Sequence, residues 1–189
     1  MRTFVAVEIS DNQIIDSIEK FQSRININAK AVDPHNLHFT LQFLGDVSEN
    51  DAQKISKALQ TIEFSRFKVS LKGVGVFPKL KFPRVIWVGT NEDGGKKLIE
   101  LANKVQKALL PLGFTSDKPF KPHITIFRVK NKIEDIGEKL EKEKDVDFGV
   151  QDIASVKFKQ SILTPKGPVY SDIKEIVAKW RKFFPKSVD

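Results

Sequence analysis

Residues 36–45 read NLHFTLQFLG, an apolar alternation that carries a histidine and a threonine two positions apart. In an extended strand, residues i and i+2 point to the same face. The stretch therefore predicts a strand whose Leu37, Phe39 and Leu41 pack against helices while His38, Thr40 and Gln42 look the other way. The pattern returns in residues 121–130, KPHITIFRVK, where His123 and Thr125 share a face opposite Ile124 and Ile126. A single such strand needs no more explanation than threonine's preference for sheets. Two copies use two of the chain's three histidines, and that makes the pattern a candidate site.

The segments around these strands set the fold class. TFVAVEI reads as an opening strand, and DNQIIDSIEKFQSRI as a helix with Asp11 as its N-cap. Gly45 is expected to stop the first histidine strand. SENDAQKISKALQTI then reads as a helix capped by Ser48, with Ile55, Leu59 and Ile62 on its apolar face. FKVSLKGVGVF and PRVIWVGT read as strands joined by PKLKFP. The glycines of DGGKK read as a turn before a helix that carries Leu98, Leu101, Val105, Leu109 and Leu112 at helical spacing. After the second histidine strand come a charged helix over NKIEDIGEKLEKEK, a strand in IASVKFKQSIL, a short strand near PVYSDI and a helix through Trp180.

Strands often follow strands directly, which points to an α+β fold with largely antiparallel sheets and away from βαβ alternation. Each half also runs helix, His-x-Thr strand, helix, strand. This echo predicts one domain over residues 1–189 made of two pseudo-symmetric lobes. Their two sheets are expected to face each other across a central cleft, with helices on the outer faces.

Composition narrows the function classes. Hydrophobic residues make up 40% of the 189 positions, and no apolar run is long enough to span a membrane. MRTFVAVEIS is interrupted by Glu8, so it reads as a first strand, and the expected compartment is the cytoplasm. With no cysteine, disulfides, thiolate metal sites and cysteine nucleophiles are excluded. A surface rich in lysine and glutamate, with one methionine, is of the kind thermophiles use. A net charge of +8 and a pI near 9.5 suit a polyanionic partner and suit a merely solvated basic surface equally well. Lys79, Lys81 and Arg84, with Lys118 and Lys121, stand in loops where together they could follow a polyanionic backbone, though each taken singly reads more simply as a solvated loop cation.

Other signals are weaker. His35 falls in a loop, and EKLEKEK reads as a solvated helix face with Glu–Lys pairs. GVGVF and DGGKK lack the continuations of the dinucleotide and P-loop fingerprints, and no His, Asp and Glu cluster has metal-ligand spacing.

Paired imidazoles suit phosphoryl chemistry. One can take a proton from a nucleophile while the other gives one to the leaving oxygen, and an imidazole's ordinary pKa near 6.5 makes both forms accessible. Threonine hydroxyls beside them would donate to the non-bridging phosphate oxygens. HFTLQF and HITIFR resemble the paired HxTxxF and HxTxxR motifs of the two-histidine (2H) phosphoesterases, in particular the LigT-like RNA 2',3'-cyclic phosphodiesterases or 2'-5' RNA ligases. RTFVAVEI and SILTPKGPVYSDI resemble that family's opening and closing segments, so the likeness covers nearly the whole chain.

The resemblance implies a bilobal fold and a reaction that uses no cofactor and no metal. It makes His123 the base that activates water and His38 the acid that protonates the departing ribose oxygen, leaving a 2'-phosphate. With an RNA hydroxyl in place of water the same residues would make a 2'-5' linkage. Thr40 and Thr125 would grip the phosphate, Arg128 would hold a phosphate or a nearby oxygen, and Phe43 would stack on the terminal base. The implied partners are RNA with a 2',3'-cyclic phosphate end, and nucleotides; the protein itself is expected to be a monomer. A non-catalytic RNA- or nucleotide-binding module using the same cleft remains the alternative.

Phe43 and Arg128 each lie five residues past their histidine, an odd offset that puts both on the core face of a regular strand. A buried unpaired arginine is costly. Alternation must therefore break before Arg128, at a bulge or at the strand's end, and by the echo between halves the same break could reach Phe43, whose other reading is ordinary core packing.

Overall fold

Residues 1–130, 136–165 and 167–179 are described by the computed structural model. Among them the order is β1 (Arg2–Glu8), α1 (Asn12–Arg24), β2 (Lys30–Ala31), β3 (His38–Asp46), α2 (Glu49–Leu59), β4 (Phe67–Phe77), β5 (Val85–Thr90) and α3 (Glu92–Leu109), then β6 (Ile124–Arg128), α4 (Gly137–Glu141), β7 (Asp147–Ile153), β8 (Ser155–Thr164) and β9 (Gly167–Val177). The strands pair in the order β7-β4-β5-β6-β3-β1-β8-β9, with β2 alongside β6. Every pairing between them is antiparallel.

The α+β architecture and the antiparallel pairing are as expected, but the two expected sheets are the halves of one continuous nine-stranded sheet. Four strands on each side join at β6 and β3 through the pair Phe39–Ile124. Past that pair β3 leaves β6, and other segments take over the exposed edge. The Val32 N–H donates to the Ile126 carbonyl at 2.9 Å, and Lys30 and Ala31 pair with Arg128 and Phe127. The result is a curled half-barrel. Tyr170 on β9 lies three strands from His38, about 14 Å at ordinary strand spacing, yet the two ring centroids are 5.4 Å apart. The sheet thus curls towards the histidine face, which becomes its concave side.

Helices cover the opposite face, α1 on β6 and β7, and α3 on β3 and β4 with α2 against it. The Asp11 carboxylate caps α1 by accepting from the Gln13 and Ile14 N–H groups, and Ile14, Ile18 and Phe21 enter the core. They meet Phe39, Leu41, Ile124 and Ile126 from the sheet, all essentially buried. Each side chain of this size contributes about 1.5–3 kcal/mol by leaving water, and truncating Phe39 to alanine would cost about 3–5 kcal/mol. No helix among the described residues is long and apolar enough to cross a membrane.

Several local expectations change. Gly45 does not end β3; it adopts φ of 73° and still pairs with Thr3. Gly94 and Gly95 are no turn but the first turn of α3, so close to β4 that a Cβ on Gly94 would lie 2.9 Å from the Val69 side chain. Leu112 leaves that helix for a 3-10 turn, Leu110–Leu112, where Pro111 has no N–H to continue an α-helix. The charged helix reduces to α4, with residues 131–135 outside the described set. Strand β7 has no sequence signal of its own, because DFGVQDI breaks the apolar alternation and carries Gly149 at φ 115°. Strand β9 runs on through Val177, where a helix was expected; Trp180 and the residues after it lie outside the described set.

Candidate active site

Both histidine strands carry a β-bulge at the third residue after the histidine. On β3, Gln42 pairs with Val5 and Thr40 with Ala6, leaving Leu41 without a partner on β1. On β6, Phe127 pairs with Ile86 and Thr125 with Trp87, leaving Ile126 in the same position. The extra residue shifts the side-chain parity by one. Phe43 therefore turns outward and is 69% exposed, and Arg128 is exposed as well. The residue before each turns inward: Gln42 and Phe127 are both 3% exposed. Gln42 thus does not share the face of His38 and Thr40, as strict alternation requires. Its Nε2 donates to the Phe114 carbonyl at 3.3 Å, and its Oε1 is buried without a hydrogen bond among the described residues.

The second bulge is pinned from α1. The Gln22 amide donates to the Ile126 carbonyl at 2.8 Å and to the Val32 carbonyl at 3.0 Å. A helix side chain that no catalytic pattern would single out therefore fixes where Arg128 emerges.

Register brings the two motifs together. With Phe39 opposite Ile124, stepping one residue either way along the antiparallel pair puts His38 across from Thr125 and Thr40 across from His123. The histidines occupy one diagonal of this square and the threonines the other, with diagonal neighbours about 7–8 Å apart. Neither threonine hydroxyl bonds to another protein group among the described residues, so both face the concave side with their donors available.

The imidazoles are held alike. Nδ1 of His38 lies 2.6 Å from the Asn36 carbonyl, and Nδ1 of His123 lies 2.6 Å from the Lys121 carbonyl. A carbonyl oxygen only accepts, so Nδ1 carries the proton in each ring and Nε2 keeps its lone pair. Each ring is also wedged between aromatics. Phe4 and Tyr170 stand 5.1 and 5.4 Å from His38, and Phe77 and Trp87 stand 4.9 and 6.4 Å from His123. Gly75 lets the Trp87 indole lie flat on β4, since a Cβ there would sit 2.3 Å from the ring. Burial disfavours the imidazolium and depresses both pKa values, that of His38 to about 4. The Asn36 carbonyl opposes the shift on His38, while the charges of Lys159 and Arg128 add to it.

Charge is distributed unequally. Beside His38, Glu8 and Asp172 bond both Lys157 and Lys159, closing a neutral cluster around Lys159, a residue only 4% exposed. Burial alone would raise the Glu8 carboxyl, but the two lysines bring it below its usual range. Arg128, three residues beyond Thr125 and so on the His38 end of the square, adds a cation there and pairs across the sheet with Lys30. Among the described residues no three His, Asp or Glu side chains converge as metal ligands.

The predicted His38, Thr40, His123 and Thr125 thus share one face of two adjoining strands, with Phe43 and Arg128 brought onto that face by the bulges. Phe4, Tyr170, Phe77, Trp87 and the Glu8 cluster were not anticipated. They sit at alternate positions of β1, β4, β5, β8 and β9, so parity marks them only once the register is known.

The chain matches the family model of the LigT like phosphoesterases twice, over residues 7–87 and 88–170. It is 43% identical over 176 residues to the RNA 2',3'-cyclic phosphodiesterase of Archaeoglobus fulgidus, spanning 92% of this chain and 98% of that one. With the enzyme of the same name from Methanocaldococcus jannaschii it shares 38% over 179 residues, 93% of this chain and 99% of the other. These relatives are from thermophiles, in keeping with the composition. Among solved structures, TT0787 of Thermus thermophilus superposes with a TM-score of 0.77 at 29% identity, covering 94% of this chain and 97% of that one. Escherichia coli LigT complexed with 3'-AMP has the same fold, with a TM-score of 0.76 at 24% identity over 95% of this chain and 98% of that one. Fold, matched residues and relatives agree: the chain belongs to the LigT-like family of 2H phosphoesterases.

Proposed function

We propose that this protein is an RNA 2',3'-cyclic phosphodiesterase that opens terminal cyclic phosphates to 2'-phosphates by two-histidine acid–base catalysis, and that it also acts on 2'-5' junctions. The observation that carries this reading is the twofold arrangement of the histidines. Each has Nδ1 tied to a carbonyl two residues back, leaving Nε2 as the group to meet substrate. A binding module would gain nothing from preparing two imidazoles in one tautomer. The double match of one family model supports a single domain of two pseudo-symmetric lobes, which we take to work as a cytoplasmic monomer.

In the proposed reaction the cyclic phosphate lies over the centre of the square. His123 Nε2 takes a proton from water as the water oxygen bonds to phosphorus. The bond from phosphorus to O3' breaks, and His38 Nε2 delivers a proton to that oxygen, leaving a 2'-phosphate. Thr40 and Thr125, on the other diagonal, donate to the non-bridging oxygens, where charge accumulates. Arg128 supplies a fixed cation on the His38 end of the square. Phe43, exposed and 6.2 Å from Phe4, is a platform for the terminal base.

The test is hydrolysis of a short RNA ending in a 2',3'-cyclic phosphate, in excess EDTA, by the wild-type protein and by the His38→Ala and His123→Ala variants. Opening to the 2'-phosphate, lost in both variants while RNA binding persists, is expected. Turnover that survives either substitution removes the acid–base pair, and binding without turnover in the wild type returns the chain to the binding module.

A further inference from the structure

The two sides of the square differ in a way that hydrolysis does not require. On the His38 side the cluster of Glu8, Asp172, Lys157 and Lys159 cancels its own charge, and Phe4 and Tyr170 wall the ring. On the His123 side Lys79, Lys81 and Lys121 stand without a carboxylate partner among the described residues. Between Val69 and Asn91 every charged side chain is a cation. The hairpin joining β4 and β5 starts at Phe77, which packs edge-on against His123, and the Lys121 Nζ lies 6.0 Å over the same phenyl ring. Its tip exposes Leu80 and Phe82, 47% and 48% accessible, with the Lys79 and Lys81 ammonium groups 5.5 and 5.8 Å over the Phe82 ring. Neither lysine is paired with a carboxylate among the described residues.

An exposed aromatic ring between unpaired lysines is what a single-stranded nucleic acid recognises: a base stacks on the ring, and the flanking phosphates meet the cations. Resting on the reading above, we propose that this hairpin tip is the seat of the second RNA strand, the one whose 5'-oxygen takes the place of water. The nucleoside bearing the cyclic phosphate is held on the other side, over Phe43. A polynucleotide lying along Phe82, Lys79, Lys81 and Lys121 ends at the imidazole that acts as base. His123 takes the proton of the 5'-hydroxyl, the new bond joins that oxygen to phosphorus, the O3' bond breaks, and His38 protonates O3'. The product is a 2'-5' phosphodiester with a free 3'-hydroxyl. No other reactant is consumed.

The test compares wild type with a Lys79→Glu/Lys81→Glu/Phe82→Ala variant on three substrates: a 2',3'-cyclic mononucleotide, a ten-nucleotide RNA ending in the cyclic phosphate, and a 2'-5'-linked RNA cleaved at its junction. The variant is expected to lose at least tenfold in kcat/KM on the 2'-5' junction while changing less than twofold on both cyclic phosphates. Loss on the ten-nucleotide cyclic phosphate equal to that on the junction overturns the assignment, because the tip then seats the upstream part of the first strand. No change on any substrate overturns it too, as does a wild type that opens cyclic phosphates but neither makes nor cleaves 2'-5' junctions. A wild type inert towards all cyclic phosphates refutes the parent reading instead. A Lys79→Gln/Lys81→Gln variant guards against misfolding. It should bind a 5'-hydroxyl RNA with a log–log salt slope shallower by about 1.4, the value for two lost phosphate contacts on a single strand, and an unchanged slope counts against the proposal.

Discussion

Binding a phosphate should move the pKa of His38 by about three units. In the free protein, burial against Phe4 and Tyr170 holds that ring down at about 4, so at pH 7 roughly one molecule in a thousand carries the imidazolium. An acid that empty cannot serve neutral catalysis unless the substrate fills it. A phosphate oxyanion about 4 Å from the ring, at an effective dielectric constant of about 20, contributes about 4 kcal/mol. At 1.36 kcal/mol per unit that is about three units, enough to bring His38 to about 7. The assay is an NMR titration of the three histidines with and without inorganic phosphate, His38→Asn serving to assign the resonance. The reasoning is refuted if free His38 titrates at 6.5 or above, or if saturating phosphate moves it by less than one unit. The same numbers bear on stability. A folded pKa below the unfolded value means that the unfolded chain binds the proton first as pH falls. The contribution of neutral His38 is complete above about pH 6.5 and is lost between 6.5 and about 4, by about 3 kcal/mol at most, and His38→Asn should remove that slope.

Other outcomes follow from particular contacts. kcat/KM should peak below pH 6.5 and fall about tenfold per unit towards alkaline pH, because the form with one protonated imidazole disappears; a plateau extending to pH 8 would contradict the depressed pKa values. Adenosine 2'-(4-nitrophenyl phosphate), cyclising with release of nitrophenolate, needs a base at the 3'-hydroxyl and no acid at the leaving group. His123→Ala should retain that reaction and His38→Ala should lose it, with the reverse result exchanging their roles. Gln22→Leu removes one of the two donors to the Ile126 carbonyl at the bulge, leaving the Val32 N–H, and should cost about 0.5–1.5 kcal/mol by denaturant melts, with a raised KM as Arg128 shifts. Gly75→Ala forces the Trp87 indole off β4 and should cost about 1–3 kcal/mol, with a changed tryptophan fluorescence spectrum.

The parts of the molecule that could be read from the chain are those that depend on local periodicity. His38 and Thr40, or His123 and Thr125, share a face because a strand has period two, whatever surrounds it. The helix caps at Asp11 and Ser48 were legible for the same reason, since the side chain that bonds lies within three residues of the N–H it serves. Gln42 was misassigned because parity is only as good as the strand's regularity, and nothing in FTLQF marks Leu41 as the unpaired residue. The need for a break before Arg128 was deducible from the cost of burying a guanidinium; its position, and the Gln22 amide that holds it, depend on a helix about a hundred residues away in sequence. Phe4, Tyr170 and Trp87 reach the histidines through register and curl, which no single strand encodes.

That division explains how a nearly symmetric frame can run an asymmetric reaction. The local pattern, a histidine tied to its i−2 carbonyl, a threonine and a bulge, is the same on β3 and β6 and by itself assigns neither ring a role. What differs comes from distant strands. His38 has Lys159 and Arg128 in its field and takes the larger shift; His123 lies against Phe77 and Trp87 with neither cation acting on it. A ring whose proton is held weakly is the better donor to a developing alkoxide, provided the substrate supplies the charge that loads it. In the proposed reaction His38 is such a ring, since the phosphate it would protonate against is also the anion that raises its pKa. His123, less perturbed and facing the basic hairpin, would then accept a proton from whatever hydroxyl that hairpin delivers.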